Sequence, residues 1–198
     1  MFTKETDLGM NHTKDDILLV SLKLFSQNGY EGVSMRDIAG KLGITVGAIY
    51  RHYTGKKDIF NSILRRMEEY DRHHARQCHL PTEQFANSPD SYQGVPREKL
   101  VRFTIEMFRH WTENEFASAF RRMLTLEQYR SSEMSALYQQ YFGNGVLTYL
   151  IDLFRENGST DPESDALKLY SPFYFFLNQY DFTNNKQEYA CRLERILS

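Results

Sequence analysis

Between residues 34 and 66 the cations Arg36, Lys41, Arg51, Lys56, Lys57, Arg65 and Arg66 face only Asp37 and Asp58, a local charge of +5 in a chain of formal net charge −2. Within it, the stretch GITVGAIYRHYTGKKDIF (43–60) adds three glycines and the polar or aromatic groups Thr45, Tyr50 and His52. Such a set lacks the parts of an active centre. It suits contact with a polyanion, because cations and hydroxyls at close spacing meet phosphate oxygens. Charge alone is equally compatible with a solvated surface. A second chemical pair is His74 and Cys78, four residues apart in HHARQCH (73–79). That is metal-ligand spacing on one helix face. No second pair with matching spacing follows, and a polar helix end accounts for both residues, so no metal and no cofactor is assigned. The chain carries no phosphate-binding loop, no GxGxxG, no HExxH and no paired cysteine motif, which argues against an enzyme.

The elements that hold these residues are helical. Ile17, Val20, Leu24 and Phe25 form a helical stripe that stops at Asn28-Gly29. Ser34 with Asp37 three residues on makes a capping box for a second helix, about 34–41. Gly43 permits a tight turn, and Thr45 caps a short third helix, about 45–53. Two short helices about this turn have helix-turn-helix proportions. Ile38, Leu42, Ile44, Ile49 and Tyr53 are its inward residues, and Ala39 allows close approach. Gly47 and Arg51 then face outward with Ala48 and Tyr50 on the flanks. The slim Gly47-Ala48 end suits entry into a major groove. A fourth helix, about 56–78, follows, and its N-terminus brings Lys56 and Lys57.

The segment HLPTEQFANSPDSYQGVPR holds three of the five prolines and reads as a loop, about 79–96. Helical spacing then resumes to the end, with Gly143-Asn144-Gly145 bending or dividing one helix and Pro172 inside another, about 162–180. The last helix is expected over about 185–197. The fold class is all-α. No apolar run is long enough for a membrane span, and MFTKETDLGMNHTKDD has no apolar core of a secretory leader. Two cysteines, Cys78 and Cys191, fit a reducing compartment, so a cytoplasmic location is expected. The sequon at Asn11 is then unused.

The run GYEGVSMRDIAGKLGITVGAIYRHYTGKKDIF resembles the DNA-binding domain of the tetracycline-repressor (TetR) family. Gly29-Tyr30, Gly32, the Ser34–Arg36–Ile38–Ala39 set, Leu42-Gly43-Ile44, Gly47 to Tyr50, His52-Tyr53, Lys56-Lys57 and Ile59-Phe60 carry the likeness over about residues 13–65. The resemblance implies a three-helix helix-turn-helix domain (1–57) on a C-terminal helical bundle (58–198) for dimerisation and ligand binding. It implies that Thr45, Val46, Gly47 and Ala48 approach bases, that Tyr50 and His52 meet phosphate or base, and that Lys56 binds a phosphate. Arg36 reaches base or backbone; Ser34 and Arg51 complete the expected set. Val46 is apolar where many relatives are polar, which favours a thymine methyl or no contact.

The expected function is a DNA-binding transcriptional regulator, a repressor relieved by a small effector. A constitutive DNA binder, or a helical ligand carrier without DNA binding, are the alternatives. The expected partners are a pseudo-palindromic duplex operator, a second copy of the chain and an apolar or aromatic effector, with no membrane. The aromatic surplus of the second half suggests a pocket from Phe103, Met107, Trp111, Phe120, Tyr138, Phe142 and Tyr174, with Glu106, Arg109, Arg121 or Arg122 for a polar group. The dimer face is expected on the last two helices, through Leu169, Phe173, Phe176, Leu177, Leu193 and Ile196.

Overall fold

The computed structural model describes residues 13–183 and 186–197. The leader and sequon readings concern residues 1–12, outside the described residues except for Thr13, and so does the expected start of the last helix at 185. Among the described residues there are ten α-helices and no strand. They are α1 (Lys14–Asn28), α2 (Met35–Leu42), α3 (Val46–Tyr50), α4 (Lys56–Gln77) and α5 (Arg97–Glu113). Then come α6 (Glu115–Glu127), α7 (Ser132–Phe142), α8 (Asn144–Glu156), α9 (Pro162–Gln179) and α10 (Lys186–Leu197). The 79–96 loop contains two short 3-10 turns, at Phe85–Asn87 and Pro89–Tyr92.

Local chemistry explains the first three helices. Thr13 and Asp16 close a capping box on α1, and Ser34 and Asp37 close one on α2. Each box satisfies donors that a helix start leaves orphaned. Gly43 ends α2 in the left-handed conformation, φ 69°, which costs glycine little. Ile17, Leu22, Phe25, Ile38, Ile49 and Phe60 meet in one buried cluster. The Tyr53 hydroxyl donates to the Lys14 carbonyl at 3.0 Å and ties the end of the helix-turn-helix to α1.

Gly143 divides α7 from α8, as the glycine pair suggested. Pro172 lies inside α9, which stays one helix from 162 to 179. In the second half α5 packs on α6, α9 and α10, and α8 packs on α9. Trp111 stands edge-on to Phe142, ring centres 4.7 Å apart, and Phe120 packs beside it. Such edge contacts add to the area these rings bury.

The expected dimer residues need correction. Leu169, Phe173, Phe176, Leu177 and Leu193 are buried within the chain, because α5 and α8 cover that side of α9 and α5 also covers α10. Of that set Ile196 alone is exposed. The apolar residues that do face out are Leu167 and Phe175 on α9 and Phe182 just after it, the last 85% exposed.

α1 packs most extensively on α6, so the first three helices rest on the second half. At this seam the Glu127 carboxylate, 1% exposed, accepts the Tyr30 backbone N–H at 3.0 Å and pairs with Arg130 at 2.9 Å. Glu127→Ala strips a buried donor of its acceptor, so a stability loss of about 1–3 kcal/mol is expected. Urea unfolding checks this; a variant as stable as the parent refutes it.

Candidate DNA-binding face and ligand cavity

α3 is a five-residue helix whose buried side is Ile49. Val46, half-buried, packs against the core as well, so it is less available to a base than its position implied. Thr45, Gly47, Tyr50, Arg51 and His52 are exposed, and Ala48 is half-buried. Tyr50 keeps 54% of its surface in solvent, unusual for a ring without a partner. Arg36 on α2 is exposed too. Arg36, Thr45, Tyr50, Arg51 and His52 are therefore all exposed within this short helix-turn-helix segment.

Three expected contacts are already engaged within the chain. The Ser34 hydroxyl accepts the Asp37 N–H at 3.2 Å and donates to the Asp37 carboxylate at 2.6 Å. The Ser34 hydroxyl, and then the Ser34 backbone N–H at 2.7 Å, donate to the Asp37 carboxylate and hold it below its usual range. The Thr45 hydroxyl accepts the Ala48 N–H at 3.2 Å. The Lys56 ammonium is engaged as well. It donates to the Tyr30 carbonyl at 2.9 Å, lies over the Tyr30 ring and faces Glu31 at 3.5 Å. In this arrangement Lys56 anchors α4 to the α1–α2 turn instead of offering a free charge to phosphate. Lys57 pairs with Glu133 on α7.

The second half holds a cavity of about 410 Å³. Phe103, Met107 and Trp111 from α5 line it, as does Thr104. Tyr141 from α7, Val146 and Tyr149 from α8, and Tyr170 and Phe173 from α9 continue the wall. α4 closes it with Glu68, Asp71, Arg72 and Ala75. Phe120, Phe142, Tyr138 and Tyr174 are not among the lining residues. Phe120 and Phe142 fill the core behind Trp111, and the hydroxyls of Tyr138 and Tyr174 bond each other at 3.0 Å. Arg121 is also no ligand group: it bonds the Trp111 carbonyl and Asp181. Arg122 faces Asp181 as well, at 3.6 Å. Arg109 is exposed and outside the cavity lining.

The cavity wall has polar atoms with unmet bonding capacity. Asp71 Oδ1 and the Tyr170 hydroxyl are buried without a hydrogen-bond partner. Arg72 does not supply one to Asp71; its guanidinium leans toward Glu68 at 3.9 Å. Sequence periodicity could not reveal Asp71, Tyr141 or Tyr170 as wall residues, since that depends on which helices meet.

The family model described as bacterial regulatory proteins, tetR family, matches residues 17–63. The helix-turn-helix region of this chain is thus of that family's type. The HTH-type transcriptional regulator AcrR of Shigella flexneri is 42% identical over 60 residues, which are 30% of this chain and 28% of AcrR. An HTH-type regulator of Staphylococcus aureus (strain USA300) is 40% identical over 47 residues, 24% of this chain and 25% of its own length. The match to these relatives thus spans little more than a quarter of their length. The fold likeness is longer. The TetR-family regulator PfmR of Thermus thermophilus aligns with a TM-score of 0.63 at 19% identity, over 94% of this chain and 96% of PfmR. A SmeT–triclosan complex aligns with a TM-score of 0.61 at 17% identity, over 93% and 89%. Among the described residues, no helix is long and apolar enough to cross a membrane.

Burial, and then Glu68, push the Asp71 carboxyl up to about 7. The groups that act on it are Glu68 and Arg72 of its own helix, with Tyr70 and Tyr141 beside it; α5 contributes uncharged walls. From about pH 4 to 7 the folded chain keeps a proton that the unfolded chain has released. Stability from this group is therefore full below about pH 4, falls as pH rises to about 7, and is constant above. Asp71→Asn is expected to match the parent near pH 4 and to melt at a higher temperature at pH 8. Thermal unfolding at the two pH values checks it, and an equal melting point at pH 8 contradicts it.

Proposed function

We propose that this protein is a ligand-responsive transcriptional regulator. Two copies grip a pseudo-palindromic DNA site through α2 and α3, and a small apolar or aromatic compound in the cavity weakens that grip. The observation that carries DNA binding is the outward cluster of Arg36, Thr45, Tyr50, Arg51 and His52 on a capped helix-turn-helix inside the family-matched region. The boundary near residue 57 fits this reading: α4 starts beneath the reading head and continues into the cavity wall.

Pairing of copies is supported by Leu167 and Phe175, two turns apart on one face of α9, together with Phe182 and Ile196. Two-fold packing of such terminal helices makes a four-helix bundle. It sets two reading heads about 34 Å or a multiple apart along DNA.

The cavity supports a sensor over a constitutive binder. At about 410 Å³ it lies in the ordinary range of small-ligand sites, and its walls are mostly aromatic and aliphatic. The unpartnered Asp71 and Tyr170 groups favour a compound that carries a hydrogen-bond donor or a positive charge on that apolar body. SmeT, taken with triclosan, is a relative in fold that holds a small molecule. The C-terminal half of α4 touches the cavity while its first turn is held against Tyr30. A ligand that packs better against one position of α4 than another shifts the reading heads accordingly.

Arg51→Ala is expected to weaken binding to all duplexes and to lower the salt-dependence slope by about one unit if it contacts one phosphate. Gel-shift titration over a salt series reads this. Equal slopes and equal affinities for parent and variant remove Arg51 from the interface.

For the sensor, a thermal-shift screen of aromatic amines and amphipathic compounds is expected to yield a stabiliser. That compound should lower DNA affinity about 5- to 150-fold. No stabilising compound, with DNA binding intact, leaves a constitutive binder. No DNA binding, with ligand binding intact, leaves a helical carrier.

A further inference from the structure

The seam between α4 and α5 brings together three metal-ligating side chains outside both the reading head and the cavity lining. His74 lies in the last turn of α4, Cys78 caps that helix one turn on, and Glu106 comes from α5, 28 residues beyond Cys78. Their donor atoms all lie within 4.8 Å of one another, and this is the one such trio among the described residues. Glu106 Oε2 is 3.3 Å from Cys78 Sγ and 3.6 Å from His74 Nε2.

The two separations to Glu106 are those of a bound metal's ligands, and a third within 4.8 Å needs only a small side-chain adjustment. With bonds of about 2.0–2.1 Å to nitrogen or oxygen and about 2.3 Å to sulfur, the edges of a tetrahedron come to roughly 3.3–3.6 Å. The pattern of satisfied groups points the same way. His74 Nε2 is buried with no hydrogen-bond partner. On the next turn of α5, both ring nitrogens of His110 are buried without partners as well. Cys78 is buried, while Glu106 keeps about a third of its side chain in solvent, which leaves an approach for an ion.

We infer that His74, Cys78 and Glu106 form a binding site for a divalent transition metal of the zinc type. A thiolate, an imidazole and one carboxylate select zinc or cobalt over magnesium or calcium, which prefer oxygen alone. Three protein ligands leave the fourth tetrahedral position to water. On binding, the Cys78 thiol gives its proton to solvent and its sulfur bonds the metal; no electrons are transferred. In the metal-free chain that thiol donates to Glu106. The sequence hid the site because its third ligand lies across the proline-containing loop. His74 and Cys78 alone looked like the polar end of a helix. A metal here joins the C-terminal end of α4 to α5.

The test uses the full-length reduced protein, freed of metal and titrated with cobalt(II). The expected result is saturation near one equivalent. It should show the visible bands of tetrahedral cobalt and a near-ultraviolet sulfur-to-cobalt charge-transfer band, both reversed by zinc. Cys78→Ser is expected to lose the charge-transfer band, while Cys191→Ser, at the exposed second cysteine, keeps it. His74→Gln and Glu106→Gln are expected to weaken binding at least tenfold. Circular dichroism confirms that each variant is folded. If the parent shows no tetrahedral bands, or if Cys191→Ser and not Cys78→Ser abolishes them, the site is refuted. Zinc should also raise the parent's melting temperature, and this readout needs no variant. No rise at tenfold excess zinc refutes the site independently. None of these readings depends on DNA or on an organic effector.

Discussion

Everything in this molecule passes through α4. It is a single helix of 22 residues, about 33 Å long, and it belongs to two hydrophobic environments at once. Ile59, Phe60 and Ile63 complete the cluster under the helix-turn-helix, whereas Asp71, Arg72 and Ala75 face the cavity. An uninterrupted helix with internally satisfied backbone bonds resists bending. Displacement at one end is therefore felt at the other as a rigid-body movement. One continuous element thus joins the cavity wall to the helix-turn-helix cluster.

What could be read from sequence was what is decided locally. The Ser34–Asp37 box, the Gly43 turn and the division at Gly143 each rest on residues within a few positions of one another, and each stands in the structure. The helix-turn-helix was legible for the same reason. The cavity was not. Phe103 and Phe120 are the same residue type at the same helical spacing, yet one faces the cavity and the other lies behind Trp111. Their difference is made by α7 and α8, whose wall residues Tyr141, Val146 and Tyr149 come more than twenty residues after Phe120. The bond Lys56 makes within the chain was hidden because its acceptor, the Tyr30 carbonyl, is 26 residues away and is placed by tertiary packing. Polar groups were harder still. Asp71 reads as a solvated helix residue, and only the closure of five helices around it makes it an acid in an apolar wall.

The outer face of α9 shows the same limit from the other side. Counting apolar residues along it marked a surface wide enough to seek a partner, but most of those residues are consumed by α5 and α8. The remainder, Leu167 and Phe175, is a narrower stripe. Singly exposed apolar residues are normal on protein surfaces; several on one helix and the turn after it are less so. Phe182 adds a ring held almost wholly in water. The argument for pairing thus rests on fewer residues than the periodicity suggested, and on different ones.

The contacts between the reading head and the second half differ in what it takes to break them. Lys57–Glu133 and Lys23–Glu115 are ion pairs with roughly half-exposed side chains, and such pairs contribute about 0–1 kcal/mol. Arg66 over the Phe116 ring is a further surface contact of modest worth. The Glu127 carboxylate on the Tyr30 N–H is different: it is buried, and parting the two strips the N–H of its acceptor and leaves Arg130 as the carboxylate's remaining partner. Of these four contacts it is the one with the largest cost of separation. A head that moves with α4 can therefore slide or release its surface pairs at little cost while α1 stays seated on α6 near Tyr30. Such a motion is a rotation about that seam instead of a detachment. It carries α3 sideways, and lateral position is what a pair of heads must hold to meet successive turns of one groove. The fold thus leaves weak contacts where the head must move and a strong one where it must stay attached.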